Sequence, residues 1–235
     1  MSNTVNSTDV LNSILVDNNK LSLSPILTAL EAGFDWMNKR FYDGELRRPV
    51  IVMAEGHKAR AMGWFTYYKP WHLRDSEFAA CELMVATDYL DRGFEHVVEM
   101  LAHEMVHCYN YQHDIKDCSR SGFRHNKKFK DSAEQHGMVW NPPTEDESSQ
   151  ADYKRVGYAR VSFKEDVKDE VYEALSALKD ALVLYRDKRQ KKDRAARSKS
   201  GVIKYMCPCC GNSVRATKEV RIMCMECNEL MEAQL

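Results

Sequence analysis

The stretch Val97-Val98-Glu99-Met100-Leu101-Ala102-His103-Glu104-Met105-Val106-His107 carries the pattern H-E-x-x-H behind an apolar lead-in. In an α-helix, residues four apart share one face, so His103 and His107 can turn both imidazoles toward one point. That is the spacing at which a helix binds Zn²⁺ through two histidines, with the intervening glutamate beside the metal. Zinc held this way lowers the pKa of a bound water to about 7, and Glu104 is placed to take that water's proton and pass it to a leaving amine. Five letters can match by chance, and two histidines can simply decorate a solvated helix. Ala102, Met105 and Val106 oppose that reading, because they make the segment a core helix, expected from about Phe94 to Tyr109.

A third protein ligand must come from elsewhere, and the residues leave a choice. His113 lies six residues after His107 and gives H-E-x-x-H-x-x-N-x-x-H. Asn110 would then stand where the helix must break, a place usually held by glycine; asparagine tolerates the left-handed conformation better than most residues. His125 is separated from His107 by 17 residues, within Gly122-Phe123-Arg124-His125-Asn126-Lys127-Lys128-Phe129-Lys130. It heads a helix expected from about Lys127 to His136 and stopped by Gly137. Glu134 on that helix is the third option. His57, His72, His96 and His136 have no partner at ligand spacing.

Upstream, Ser24-Pro25 offers an N-cap followed by proline at the first helical position. Ile26, Leu30, Phe34, Met37 and Phe41 then recur every three or four residues, an amphipathic helix ending before Asp43-Gly44. Val50 to Ala54, Ala61 to Tyr68 and Cys81 to Ala86 read as strands, with a loop at Pro70-Trp71-His72. Downstream, Pro142-Pro143 and the acidic stretch Thr144 to Gln150 suggest a domain edge. Val167, Val171, Leu175, Leu178, Leu182 and Tyr185 mark one long amphipathic helix. It leads into Arg186 to Lys199, where eight Lys or Arg accompany two Asp.

Eight cysteines are present, five of them in the last 29 residues. Clustering of this kind favours metal over disulfides. Cys207-Pro208-Cys209-Cys210 and Cys224-Met225-Glu226-Cys227 give C-x-x-C, 13 residues, C-x-x-C, a four-cysteine zinc site made of Cys207, Cys210, Cys224 and Cys227 with Cys209 as an extra thiol. So short a segment cannot build a sufficient core, and zinc should supply much of its folding free energy. Two zinc ions per chain are therefore expected, one catalytic and one structural. Cys81, Cys108 and Cys118 read as buried or idle thiols.

The ordered combination of H-E-M-x-H, then His125 with Phe129, then a terminal cysteine ribbon resembles the SprT-like family, which includes the Spartan-type proteases. Phe34-Asp35-Trp36-Met37-Asn38 with Phe41 matches the family's aromatic-rich first helix. The family's G-H-G becomes Arg124-His125-Asn126 here. The resemblance spans about Pro25 to Met138 and the terminal cysteines. It implies an α+β fold, a minimal zincin of helices packed on a small sheet, with His125 as third ligand. It also implies an extended substrate along an edge strand, for which Cys81 to Ala86 is the strand assigned. Spartan-type relatives act on proteins attached to DNA, so DNA-associated protein substrates are implied as well.

Formal net charge is −1, so overall charge points to no partner. Local charge does: Arg120, Arg124, Lys127, Lys128 and Lys130 cluster with no acid between Asp117 and Asp131, and Lys191 and Lys192 lie in the second basic stretch. Either could engage phosphates by counterion release. From Ser200 to Leu235, four Lys or Arg balance four Glu, which weakens the DNA case for the ribbon. No basic-plus-apolar leader and no run of about 20 apolar residues is present, so a cytoplasmic or nucleoid- or nuclear-associated protein is expected, neither secreted nor membrane-spanning. The expected organisation is a flexible N-terminus (1–22), a catalytic domain (23–140), an acidic loop, helix and basic linker (141–199) and the ribbon (200–235). The opposing hypothesis is a zinc-stabilised DNA- or protein-binding factor with little proteolysis; intact His103, Glu104 and His107 favour the enzyme.

Overall fold

The computed structural model describes residues 21–56, 62–119, 123–186 and 202–234. The expectations for residues 1–20, His57, Arg120, Lys191 and Lys192 lie outside the described residues. The chain is α+β and divides into two compact units, residues up to 187 and residues from 188 onward. Among the described residues no helix is long and apolar enough to cross a membrane.

The first unit opens with helix α1 (Ser24–Phe41). Ile26, Leu30, Phe34 and Met37 are all buried, as their spacing requires. Ser24 is the first helical residue rather than the cap; Leu23 caps without a side-chain bond, and Pro25 occupies the first turn, where its missing N–H costs nothing. Lys39 and Arg40 fill the last turn, where cations favour the helix dipole.

Strand β1 (Val50–Ala54) is followed by β2 (Gly63–Phe65), a two-strand pair of β3 (Trp71–His72) with β4 (Ala79–Ala80), and β5 (Glu82–Ala86). The main sheet has the order β1-β5-β2, with β1 parallel and β2 antiparallel to β5. This corrects the edge-strand assignment. The run Cys81 to Ala86 is apolar because it is the central strand: Leu83, Met84, Val85 and Ala86 are all buried, and both of its edges are engaged. The edge strand beside the helix that carries His103 and His107 is β2.

A 3₁₀ turn (Thr87–Arg92) leads into α2 (Phe94–Gln112). Its residues Val97, Val98, Leu101, Ala102, Met105 and Val106 are buried, so the helix is covered on most of its circumference. Strands β6 (Cys118–Ser119) and β7 (Arg124–His125) pair, and α3 (Lys127–Gln135) follows at once, capped by the Asn126 side chain, which accepts from Lys128 N at 2.7 Å.

Strand β8 (Met138–Trp140), α4 (Glu147–Val156), β9 (Val161–Phe163), α5 (Glu165–Ala174) and α6 (Ser176–Ala181) complete the unit. The expected boundary at residue 140 does not fall there. Met138 pairs with Phe163 and Trp140 with Val161 across β8 and β9, so residues 141–160 are an excursion from one ladder. Phe163, Val171, Leu175 and Leu178 bury into the same core as α1 and α2. The single long helix expected from Val167 to Tyr185 is two short ones broken at Leu175. Arg186, first of the basic run, is pinned by an ion pair to Glu55 at 2.9 Å.

In the second unit, β10 (Ile203–Met206) pairs antiparallel with β11 (Ser213–Ala216). Strands β12 (Met223–Cys224) and β13 (Glu229–Leu230) form a hairpin, and β14 (Glu232–Gln234) closes on the other side of β10. Tyr205, Cys207, Cys224 and Met231 are its whole buried apolar set among the described residues. Four residues are far too few to offset the ordering entropy of so short a segment.

Candidate metal centre

His103 and His107 stand one turn apart on α2, and His125 ends β7. Their Nε2 atoms converge: His125 Nε2 lies 3.0 Å from that of His103 and 3.0 Å from that of His107. The opposite nitrogens are already committed. His107 Nδ1 lies 2.7 Å from an oxygen of Asp117, and His125 Nδ1 lies 3.3 Å from the Val156 carbonyl. His103 hydrogen-bonds the backbone of Ala159. A carbonyl or carboxylate only accepts, so the ring protons of His107 and His125 sit on Nδ1. Their Nε2 lone pairs therefore face one another and His103.

Burial, then the neighbouring His125 and His107, holds His103 far below the usual imidazole range. Burial, then His107, takes His125 down to about 3. Both are neutral donors. A cation is what such an array fits. Ligand nitrogens ~2.0–2.1 Å from a tetrahedral Zn²⁺ stand roughly 3.3 Å apart, close to the separations here. Phe129 lies 4.5–4.8 Å from all three rings, centroid to centroid, and walls the site from the α3 side.

Glu104 is buried, and its Oε2 has no hydrogen-bond partner among the described residues. Burial pushes its carboxyl up to about 7, with Asp117 adding to the rise and His107 opposing it. The edge strand approaches it closely. A Cβ on Gly63 of β2 would stand 2.6 Å from Met100 Sδ, 3.0 Å from the Met84 carbonyl oxygen and 3.2 Å from Glu104 Oε1, so any side chain there would have to displace the ends of Met100 and Glu104.

Of the competing third ligands, His113 turns away: its Nδ1 bonds the Tyr109 carbonyl at 2.9 Å and its Nε2 faces Glu45 at 3.7 Å. Glu134 pairs with Lys130 at 3.6 Å. Asn110 is not a helix break but a fully buried residue in the last turns of α2. It joins a polar cluster that motif reading passed over. Asp117 accepts from Asn110 Nδ2 at 3.0 Å and from the Tyr67 hydroxyl at 3.1 Å, besides its bond to His107. The signal was present: metal-binding histidines commonly donate their second nitrogen to a carboxylate, and Asp114 and Asp117 are the acids between His107 and His125.

In the second unit, the sulfurs of Cys207, Cys210, Cys224 and Cys227 lie within 4.8 Å of one another, with Cys210 and Cys224 at 3.6 Å. Sulfurs ~2.3 Å from a tetrahedral zinc are roughly 3.8 Å apart. Backbone N–H groups of Cys210 and Cys209 draw the Cys207 thiol down to about 7, toward the thiolate that binds metal. Both clusters could hold a metal ion, and both donor sets are compatible with zinc.

The basic residues around His125 are partly spent within the unit. Lys127 pairs with Asp131 at 2.8 Å, and Arg124 lies over the Tyr153 ring at 5.7 Å. Lys128 is exposed and, among the described residues, forms no ion pair. Comparison with protein-family models, curated proteins and solved structures found no match to this chain.

Proposed function

We propose that the first unit is a zinc-dependent peptidase of the SprT-like, zincin type, and that the second is a structural zinc ribbon. The observation that carries the first part is the convergence of three Nε2 atoms beside a buried Glu104 whose Oε2 has no hydrogen-bond partner among the described residues. His103, His107 and His125 would hold the metal. Bound there, zinc would supply polarisation of a scissile carbonyl and would acidify a water toward neutrality.

Glu104 does the proton work. It adjoins His103 in sequence, and its Oε2 has no hydrogen-bond partner among the described residues, so it is placed to accept a proton from water and return it to a leaving amine. Strand β2 supplies the substrate track. Its Met62 carbonyl and Thr66 N–H bond into β5, so Gly63 and Phe65 present their backbone groups on the other side, which carries no strand partner among the described residues. An extended peptide can add there by backbone hydrogen bonds. Gly63 sets that track against Glu104.

Proteins bound to DNA are the proposed substrates, supported by the family resemblance and by the exposed Lys128 near His125. The test is hydrolysis of a generic unfolded protein with and without DNA, comparing wild type with Glu104→Gln. The variant should retain zinc and lose turnover by at least about 10²-fold. Equal turnover would remove Glu104 from the mechanism. No turnover in either protein, with two zincs retained, would favour the binding-factor hypothesis.

A further inference from the structure

The histidine site rests on a hydrogen-bonded chain that runs back to the helix following His125. Ser132 on α3 donates to Asn110 Oδ1 at 2.6 Å. Asn110 donates from Nδ2 to Asp117 Oδ2 at 3.0 Å, and the same oxygen lies 2.7 Å from His107 Nδ1. Asp117 Oδ1 accepts from the Tyr67 hydroxyl at 3.1 Å. Asp117, Asn110, Ser132 and His107 are all buried. A buried carboxylate survives only when its lone pairs are filled by good donors, and three donors fill these.

We propose that Asp117 is a positioning residue for the metal centre. It fixes His107 as the Nδ1–H tautomer, so that Nε2 is a lone-pair donor aimed at the metal before any metal arrives. Asn110 and Ser132 extend its grip to α3, the helix that opens two residues after His125. One chain of bonds thus sets the relative placement of two ligands that are 18 residues apart in sequence. Tyr67 has a second role by position: it lies two residues past the end of the edge strand β2 and delivers its hydroxyl to the carboxylate behind His107. This proposal rests on the histidine cluster being a metal site, as argued above.

A competing use of the same atoms is a separate cation site. His107 Nδ1, Asp117 and Cys118 come within 4.8 Å of one another. The hydrogen bonds decide between the two. Asp117 Oδ2 already receives two donors and Oδ1 a third, and the Tyr67 hydroxyl lies 3.8 Å from Cys118 Sγ.

The experiment uses the full chain and reads metal affinity, with the four-cysteine cluster as internal control. Asp117→Asn keeps the shape and removes the charge. Zinc affinity at the histidine site should fall about 10–100-fold, with the cysteine site unchanged. Ser132→Ala should weaken it in the same direction by a smaller factor. In metal-free protein, long-range ¹H–¹⁵N spectra should show His107 as the Nδ1–H tautomer in wild type and a tautomer mixture in Asp117→Asn. That signature does not depend on peptidase activity. Wild-type affinity in a folded Asp117→Asn, or an unchanged tautomer, would overturn the proposal while leaving the peptidase reading intact. A third tightly held zinc, lost in both Asp117→Asn and Cys118→Ser, would overturn it in favour of a separate cation site. Failure of wild type to bind at the histidines would sink both readings.

Discussion

Gly157 and His125 touch backbone to backbone: a Cβ on Gly157 would stand 2.1 Å from the His125 carbonyl oxygen. The two residues form a parallel bridge, and Tyr158 N donates to that same carbonyl at 3.1 Å. Gly157 also has φ +66, a conformation L residues rarely adopt. On one side of it Val156 accepts from His125; on the other Ala159 engages His103. The excursion from β8 to β9 therefore clasps two of the three histidines.

Gly157→Ala should loosen that clasp. The backbone conformation alone costs about 1–3 kcal/mol for a non-glycine residue, and the carbonyl contact must open as well. Loss of zinc from the histidine site, with the cysteine site retained, is expected by metal analysis. Full occupancy at limiting zinc would show that residues 156–159 are not part of the support.

The sequence made the helix of the H-E-x-x-H motif legible because its apolar residues leave almost no solvated face. The convergence of His103 and His107 followed from helical periodicity alone. His125 did not. Spacing left it level with His113, and its place at the head of a helix that Phe129 can anchor favoured it together with the family resemblance; in the fold it reaches the site through β7 and Gly157, pairings that no local pattern encodes. Asn110 misled for the same reason: its bond to Asp117 is tertiary, whereas its helix-breaking tendency is local. The central place of β5 was missed because a short apolar run reads alike in a central strand and in a half-covered edge.

Glu104 gives a pH dependence that can be isolated in metal-free protein. Its carboxyl is raised by burial from the ordinary 4.5 to about 7. The folded state thus keeps a proton that the unfolded chain has released, and stability is lost as pH rises from about 4.5 through 7. At 1.36 kcal/mol per pKa unit the loss is on the order of 3 kcal/mol by pH 8. His103 and His125 act oppositely: their lowered values cost stability as pH falls below the ordinary 6.5. Glu104→Gln removes the first effect, together with Glu104's share in raising His107, which acts in the same direction. In chelator it should be more stable than wild type at pH 8, with the difference vanishing near pH 4.5. All four tryptophans lie in the first unit, so their fluorescence reports that unit's unfolding. A constant difference across this range would contradict the buried-carboxyl argument.

The cysteine cluster should behave as an independent folding switch. With so small an apolar core, metal binding and folding of the second unit are one event. Cys210→Ser should release one zinc equivalent and abolish structure in that unit, while tryptophan-reported stability of the first unit stays unchanged. Cys209→Ser should keep both zincs. Retention of both metals by Cys210→Ser would mean that Cys209 substitutes for it.

Nucleic-acid binding, if it uses the exposed Lys128, must show counterion release. Each phosphate contact contributes about 0.7 to the salt slope on single strands and about 0.9 on duplex. Lys128→Glu should reduce the slope by about that much or more, and Lys127→Ala by less, since Asp131 already pairs Lys127. Affinity indifferent to salt would exclude a phosphate-binding role for this surface.

The choice of third ligand separates two site architectures. His113 faces Glu45 and bonds its own helix through the Tyr109 carbonyl, so bringing it to the metal would require α2 to break at Asn110. That break would sacrifice the bonds Asn110 makes to Asp117 and Ser132. Two buried hydrogen bonds, one to a carboxylate, amount to roughly 2–4 kcal/mol before any helix is unwound. His125 needs no such change, because its Nε2 already lies 3.0 Å from both partners. His125→Ala should therefore lose one zinc equivalent and all peptidase turnover, whereas His113→Ala should keep two zincs and turnover within a few-fold of wild type. Metal analysis of the two full-length variants, with the cysteine site accounting for one equivalent in each, reads the outcome directly. The opposite pattern would replace the His125 site with one in which α2 unwinds after His107, and would remove the resemblance to SprT-like proteases along with it.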